Sequence, residues 1–416
     1  MKLNKWTVGL AAVGVVSLAS AARADEKMSQ IQTELSNTTI SGYISSSFNW
    51  AISPGDNSPA KSLLGGIPYQ GINKQNGFNL DVVDLSIAKP QDESPWASGY
   101  QVDLLFGPDA ATFGASSSYF AIEQAYIALR TPVGNGIDWK VGVFNSPIGY
   151  ESFDAGLNPN YTRSWGYAVE PTTFTGVLAS YKITDQWAIS AGIANTANNV
   201  INGRAYNHVT AGVYDQAKDW NKTFMGSVAY TAPSSWGSLA GSTIDAGVIY
   251  GFNGQRTNSV TGPNGGSYYA NGDQINYYAG ATLNTPWAPL KVGAALDYVH
   301  NLDDGLLSPL ATDRELNAFV LGLYGTYKAT DKLNLNARVE YINLEAEGAA
   351  TTTNLRNTTD GFGVTATVDY AMWANVLSRL ELRWDHFGNK NADALTSAAL
   401  AKTDSIGFYA NLIYKF

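Results

Sequence analysis

Two groups of charged side chains invite a chemical reading. The first lies in one long segment, 145–173, and comprises Glu151, Asp154, Arg163 and Glu170. The second alternates in sign near the C-terminus: Arg338 and Glu340, then Arg379, Glu381, Arg383 and Asp385. Residues two apart on an extended chain share a face, so each stretch presents a row of mixed charge rather than a catalytic pair. Facing rows of that kind set up a field across a narrow aqueous gap, which orients polar solutes as they pass. Bond-making chemistry has little support. The absence of cysteine removes thiol nucleophiles, thiolate metal sites and disulfides. The three histidines, His208, His300 and His386, are far apart and none stands in a recognisable nucleophile context. Asp303, Asp304, Asp313 and Glu315 could take Ca²⁺ or bridge to lipid through divalent cations, but a solvated acidic loop explains them more simply. No catalytic residue, metal or cofactor is therefore expected.

The elements that must position these charges are strands. Leu333, Leu335, Ala337, Val339 and Tyr341 alternate with Asn334, Asn336, Arg338 and Glu340. Phe362 to Tyr370 and Val376 to Asp385 repeat the pattern, which is the period of a two-faced strand. Sixteen such segments begin near Ile40, Phe78, Gly99, Phe120, Gly136, Phe174, Trp187, Phe224, Thr243, Ile275, Leu290, Ala318, Leu333, Gly361, Val376 and Ser405. The connections between them alternate long and short throughout. Short ones carry turn chemistry, as in Thr184-Asp-Gln186 and Thr330-Asp-Lys332, and long ones are rich in Gly, Asn, Ser and Pro, as in Asn253 to Asp273.

Composition and the N-terminus set the compartment. The chain has 416 residues, 26 basic against 35 acidic, 45% hydrophobic and only 15% charged, against about 25% charged in soluble domains. The acidic balance argues against nucleic-acid binding. Lys2 and Lys5 precede an apolar run from Trp6 to Ala22, and Ala22-Arg23-Ala24 offers small residues for cleavage, so residues 1–24 read as a secretory signal peptide. Removing them takes away three basic residues and no acidic ones. Residues 25–39 would be a short periplasmic extension and 40–416 the folded domain. No later run reaches the roughly 18 apolar residues of a transmembrane helix.

Loops sorted by parity belong to an up-and-down sheet fixed in a membrane, with every long loop at one end. The fold expected is all-β: a transmembrane antiparallel β-barrel of about sixteen strands, closed because lipid leaves no edge unpaired, with short periplasmic turns and long extracellular loops. Aromatics near strand ends, among them Trp50, Trp139, Trp187, Trp287, Trp373 and Trp384, suit the interfacial girdles of such barrels. In the last segment Ile406, Phe408, Ala410, Leu412, Tyr414 and Phe416 share one face, and an aromatic at the end of that strand is the usual signal for the barrel assembly machinery.

A stretch from Ala125 to Glu151, AYIALRTPVGNGIDWKVGVFNSPIGYE, is followed by Tyr167-Ala-Val-Glu-Pro-Thr-Thr-Phe-Thr-Gly-Val177. This block resembles the putative β-barrel porin-2 family, the OmpL-like porins of Gram-negative bacteria. Phe174 stands where a polar residue would be usual before the Thr-Gly pair. The resemblance implies an outer-membrane channel and no catalytic residues.

A barrel of about sixteen strands is wide enough for an aqueous lumen, whereas eight strands are filled by side chains. The longest connection, 145–173, is expected to fold inward and narrow it, facing the wall of strands thirteen and fourteen. Other lumen candidates are Asp84, Asp103, Lys140, Asp245, Lys291 and Asp297, and their acidic balance suggests weak cation preference. The expected partners are small hydrophilic solutes and ions, outer-membrane lipid and the assembly machinery through Phe416. Analogy with sixteen-strand porins suggests a homotrimer. Two alternatives stay open: a channel specific for a sugar or an ion, and a non-conducting receptor or structural barrel.

Overall fold

The computed structural model describes residues 31–32, 38–52, 74–113, 119–197, 199–203, 220–252, 260–261, 267–268, 273–300, 314–350, 353–389 and 403–416. The expected signal segment 1–24, most of the 25–39 extension, His208, Asp303, Asp304 and Asp313 lie outside these residues, as does the side chain of Glu315. Sixteen long strands follow one another in antiparallel order. They are β1 Thr39–Ala51, β2 Gly77–Lys89, β3 Ser98–Phe106, β4 Phe120–Thr131, β5 Ile137–Asn145, β6 Thr173–Lys182, β7 Trp187–Ala194 and β8 Thr223–Thr231. The second half comprises β9 Thr243–Gly251, β10 Gln274–Asn284, β11 Leu290–His300, β12 Arg314–Lys328, β13 Leu333–Ala350, β14 Thr353–Trp373, β15 Val376–Asn389 and β16 Thr403–Lys415. β16 returns to pair with β1, from Gly407↔Ala51 to Lys415↔Tyr43. The sheet therefore closes and has no edge, as hydrocarbon requires.

Each strand alternates between two environments. On β13, Asn336, Arg338, Glu340 and Ile342 are buried while Leu335, Val339 and Tyr341 are exposed. On β16, Tyr409, Asn411 and Ile413 are buried while Leu412 and Tyr414 are exposed. Exposed apolar side chains on one face and buried polar ones on the other invert the order of a soluble sheet. That is the pattern of a wall between lipid and a filled or wet interior. Exposed aromatics ring both ends. Trp50 and Phe78 lie at the end of the long loops, and Trp187, Trp287 and Trp373 at the end of the short turns.

The strict alternation of connection length fails at one place. The connection after β13 is 351–352, because β13 and β14 stay paired as far as Ala350↔Thr353. The sequence pattern places loop over most of 342–360; residues 342–350 and 353–360 are instead paired strand. The wall is uneven as a result: β7, β8 and β9 have 8, 9 and 9 residues, whereas β13 and β14 have 18 and 21.

Two bulges re-aim side chains. Ser45 pairs Val82 and Ser46 pairs Leu80, so Asp81 is an extra residue on β2. Asp103 pairs Gln124 and Leu104 pairs Ile122, so Glu123 is an extra residue on β4. A bulge bends its strand and turns the additional side chain. Both carboxylates point to the buried side, at 1% and 7% exposure.

The lipid-facing parity has a direct test. Val339→Arg places a charge on the exposed face near the middle of β13, and is expected to lower folding stability in vesicles by about 2–4 kcal/mol, read from urea titration. No loss would contradict the assignment of that face to lipid.

Candidate functional site

The interior is organised by the segment between β5 and β6. Its base is pinched by the Ser146 amide donating to the Thr172 carbonyl at 2.8 Å. Gly149, with φ of +119°, turns the chain inward at a position where a Cβ would strike the Glu170 carboxylate. A 3₁₀ turn at Ala155–Leu157 is capped by Asp154, which accepts from the Gly156 amide. The short helix α1, Trp165–Val169, is capped by Ser164, which accepts from the Tyr167 amide. Asn160, Tyr161, Thr162 and Trp165 are all at most 1% exposed. The segment crosses the barrel and lies against the inner face of β13 to β15.

There the alternating charges of the wall meet the peptide groups of the loop. Glu381 accepts from the amides of Tyr161 and Thr162 at 2.6 and 2.9 Å. Glu340 accepts from the Trp165 amide at 2.6 Å. Arg338 donates to the carbonyls of Thr162 and Arg163 at 2.7 and 3.2 Å. Arg383 donates to the Arg163 carbonyl at 2.6 Å. Arg379 donates to the carbonyls of Ala155 and Asn158 at 2.5 and 2.6 Å. The charges also balance among themselves: Arg338 with Glu340 and with Glu151 of the loop, Arg379 with Asp369, and Arg383 with Asp385. Charge-assisted bonds contribute about 1.5–3 kcal/mol each when both partners are present. Removing one partner of a buried pair costs about 3–5 kcal/mol, because the other is left unpaired.

Apolar contacts complete the seat. Tyr150 stacks on Tyr324 with ring centroids 4.2 Å apart, and Trp165 packs on Phe387 at 5.2 Å. Inward-facing glycines provide room. A Cβ on Gly363 would lie 3.2 Å from the Trp165 ring, one on Gly247 would lie 2.5 Å from Ile148, and one on Gly293 would overlap the Tyr150 hydroxyl. A second latch ties the loop to its other neighbours. Lys74 pairs with Asp81 and Asp109 at 3.0 and 2.8 Å and sits over the Tyr161 ring, while Tyr161 donates to Asp81 at 3.1 Å. Burial pushes the Asp109 carboxyl up to about 6 against the opposing pull of Lys74. Burial raises the Tyr150 hydroxyl to about 12. Burial, with the adjacent Asp297 carboxyl, raises Glu170 well above the usual range.

Between the loop and the wall of β1 to β7 lies a cavity of about 520 Å³. Asp84, Asp103, Glu123, Asp154, Lys140 and Tyr126 are among its lining. Seven acidic and four basic side chains line it in all, including the Arg130–Asp138 pair at 2.6 Å.

The ten residues singled out from sequence therefore take different places. Glu151, Arg338, Glu340, Glu381 and Arg383 converge on the loop segment 161–165. Arg379 and Asp385 flank that cluster. Arg163 contributes its carbonyl there, while its guanidinium turns back to the carbonyls of Tyr161 and Phe153 and lies over the Tyr167 ring. Asp154 faces the cavity, and Glu170 sits apart beside Asp297. Of the other lumen candidates, Asp84, Asp103 and Lys140 line the cavity, while Asp245, Lys291 and Asp297 do not. Sequence reasoning missed Lys74, Asp81, Asp109 and Glu123. For Asp81 and Glu123 the missing signal was the bulge, which breaks two-residue alternation.

The model of the family described as putative beta-barrel porin-2, OmpL-like, matches residues 37–416. The chain belongs to that family. Solved outer-membrane proteins share the fold. OmpT of Vibrio cholerae, in its trimer form, superposes with TM-score 0.51 at 15% identity, over 91% of this chain and 99% of its own. The channel DcaP of Acinetobacter baumannii gives 0.54 at 11%, over 93% and 99%. The anion-selective porin of Comamonas acidovorans gives 0.52 at 10%, over 91% and 99%. No curated relative matches the chain. The family is one of porins, and DcaP and the Comamonas protein are described as a channel and a porin, not as enzymes.

Arg338→Ala is the direct test of the latch. It strips Glu151 and Glu340 of a buried partner and frees two loop carbonyls, so the native fold is expected to lose about 3–5 kcal/mol. Folded and heat-unfolded forms on gels give the midpoint, and trypsin cleavage after Arg163 reports loop release. An unchanged midpoint with Arg163 still protected would refute the role given to Arg338.

Proposed function

We propose that this porin conducts small hydrophilic solutes and ions passively across a Gram-negative outer membrane, with a weak preference for cations. The observation that carries this reading is the cavity beside the inward loop, whose lining is acidic on balance. Fixed carboxylates at a narrow point raise the local concentration of cations and lower that of anions. Neighbours of the same architecture include an anion-selective porin, so the sign of the lining charge, not the barrel, is what decides selectivity here.

Loop 146–172 is the constriction, and the charges of β13 to β15 act on solutes through it. Arg338, Glu340, Arg379, Glu381 and Arg383 hold the loop, Asp385 holds Arg383 in place, and Asp154 on the cavity side faces the passing solute. Glu151 and Arg163 stiffen the loop, and Glu170 fixes its return. Export through a cleaved signal peptide and insertion by the assembly machinery, reading the lipid-facing side chains of β16 and Phe416, complete the route to the membrane.

A homotrimer fits the uneven wall. At about 3.3 Å per residue and the usual tilt, strands of 8 or 9 residues fall short of a full apolar band of roughly 25 Å. A second copy would cover that low side, and OmpT is recorded in a trimer form.

Purified protein in planar bilayers under a KCl gradient tests the central point. The reversal potential is expected to show a modest preference for K⁺. A reversal potential favouring Cl⁻, or a folded barrel that carries no current, would contradict the proposal.

A further inference from the structure

Three carboxylates of the interior share one cavity. Asp84 is 8% exposed, lines the cavity, and its carboxylate makes no hydrogen bond or ion pair among the described residues. Glu123 is 7% exposed and accepts only a long bond, 3.4 Å, from the Asn145 side-chain amide. Asp154 caps the Gly156 amide and lines the cavity. Lys89 and Lys415 also line the cavity, and some of the neighbouring charges are already engaged. Asp103 accepts from Gln101 and Gln124 at 2.5 and 2.7 Å, and Arg130 is held by Asp138. Lys140 lies over the Tyr126 ring at 4.8 Å and forms no ion pair among the described residues.

A buried carboxylate without a partner is costly, and Asp84 in that state, with the weakly bonded Glu123 and with Asp154 on the same lining, favours an occupant that brings positive charge. A bare metal ion fits poorly, because no group of three or more His, Asp or Glu among the described residues closes to ligand geometry. The carboxylates are instead spread over β2, β4 and the loop, around a volume of about 520 Å³, the size of small-molecule sites. Tyrosine rings line the same space, and Lys140 over Tyr126 shows that this wall accepts an ammonium on an aromatic face.

We propose that this cavity is a binding site for a small organic cation, an alkyl amine or diamine. Its ammonium groups are held by Asp84, Glu123 and Asp154, and its hydrocarbon lies against Tyr43 and Tyr126. The inference rests on the channel reading for the route by which the solute reaches the cavity. It makes the acidic lining a station for amines rather than a diffuse field.

Calorimetric titration of the folded full chain in detergent, at low ionic strength, with 1,4-diaminobutane as the probe, tests it. Saturable binding near one per chain is expected. It should weaken about tenfold or more in Asp84→Asn and in Glu123→Gln, and stay unchanged in Asp331→Asn, whose side chain is 98% exposed in a turn. Heat-shifted gel mobility verifies that each isosteric variant folds. No saturable binding, or binding indifferent to both cavity variants, overturns the proposal. The readout needs no current. A barrel that binds the diamine but does not conduct would sink the channel reading alone. A conducting barrel that ignores the diamine would sink only this one.

Discussion

A polypeptide that leaves the wall of a barrel and enters its interior carries unpaired amides and carbonyls with it, and each must find a partner there. In this protein the partners are charged. Glu340 and Glu381 take the amides of residues 161, 162 and 165, while Arg338, Arg379 and Arg383 take the carbonyls of residues 155, 158, 162 and 163. Alternating signs along a strand suit this task, because a peptide backbone presents both donors and acceptors. Everything else about the interior follows from where that contact holds the loop: the stacking of Tyr150 and Trp165, the glycines that make room for them, and the cavity on the opposite side.

The arrangement divides the interior by chemistry. On the β13 to β15 side, opposite charges are paired, buried and committed to the loop. On the β1 to β7 side, carboxylates outnumber cations and Asp84 stands without a partner among the described residues. Two bulges sharpen the difference. Asp81 joins Lys74 and Tyr161 in the second latch, whereas Glu123 adds a carboxylate to the cavity. One device thus serves anchoring in one strand and charge density in another.

The barrel was legible because lipid imposes period two on each strand for as long as it crosses. Leu333 to Tyr341 shows that period without interruption, and the strand is there. Where lipid ends, the signal ends too. Residues 346–350 and 353–357 pair across β13 and β14, but their sequence carries no sustained apolar alternation, and so they read as loop. The inward glycines Gly247, Gly293 and Gly363 and the bulge residues Asp81 and Glu123 were silent for a related reason. Their roles depend on what lies opposite in space. The charged residues of β13 and β15 were recognisable as inward-facing. That they would clasp backbone could be seen only once the path of residues 151–165 was known.

The central claim is that these wall charges hold the loop by its backbone, and hydrogen exchange of the loop amides in the folded protein tests it most directly. Mass spectrometry on a peptide spanning residues 159–166 should show amides protected to the same degree as those of β13, with protection lost selectively in Glu381→Gln while β13 itself stays protected. Exchange in that peptide as fast as in the exposed turn 90–97 would contradict the account.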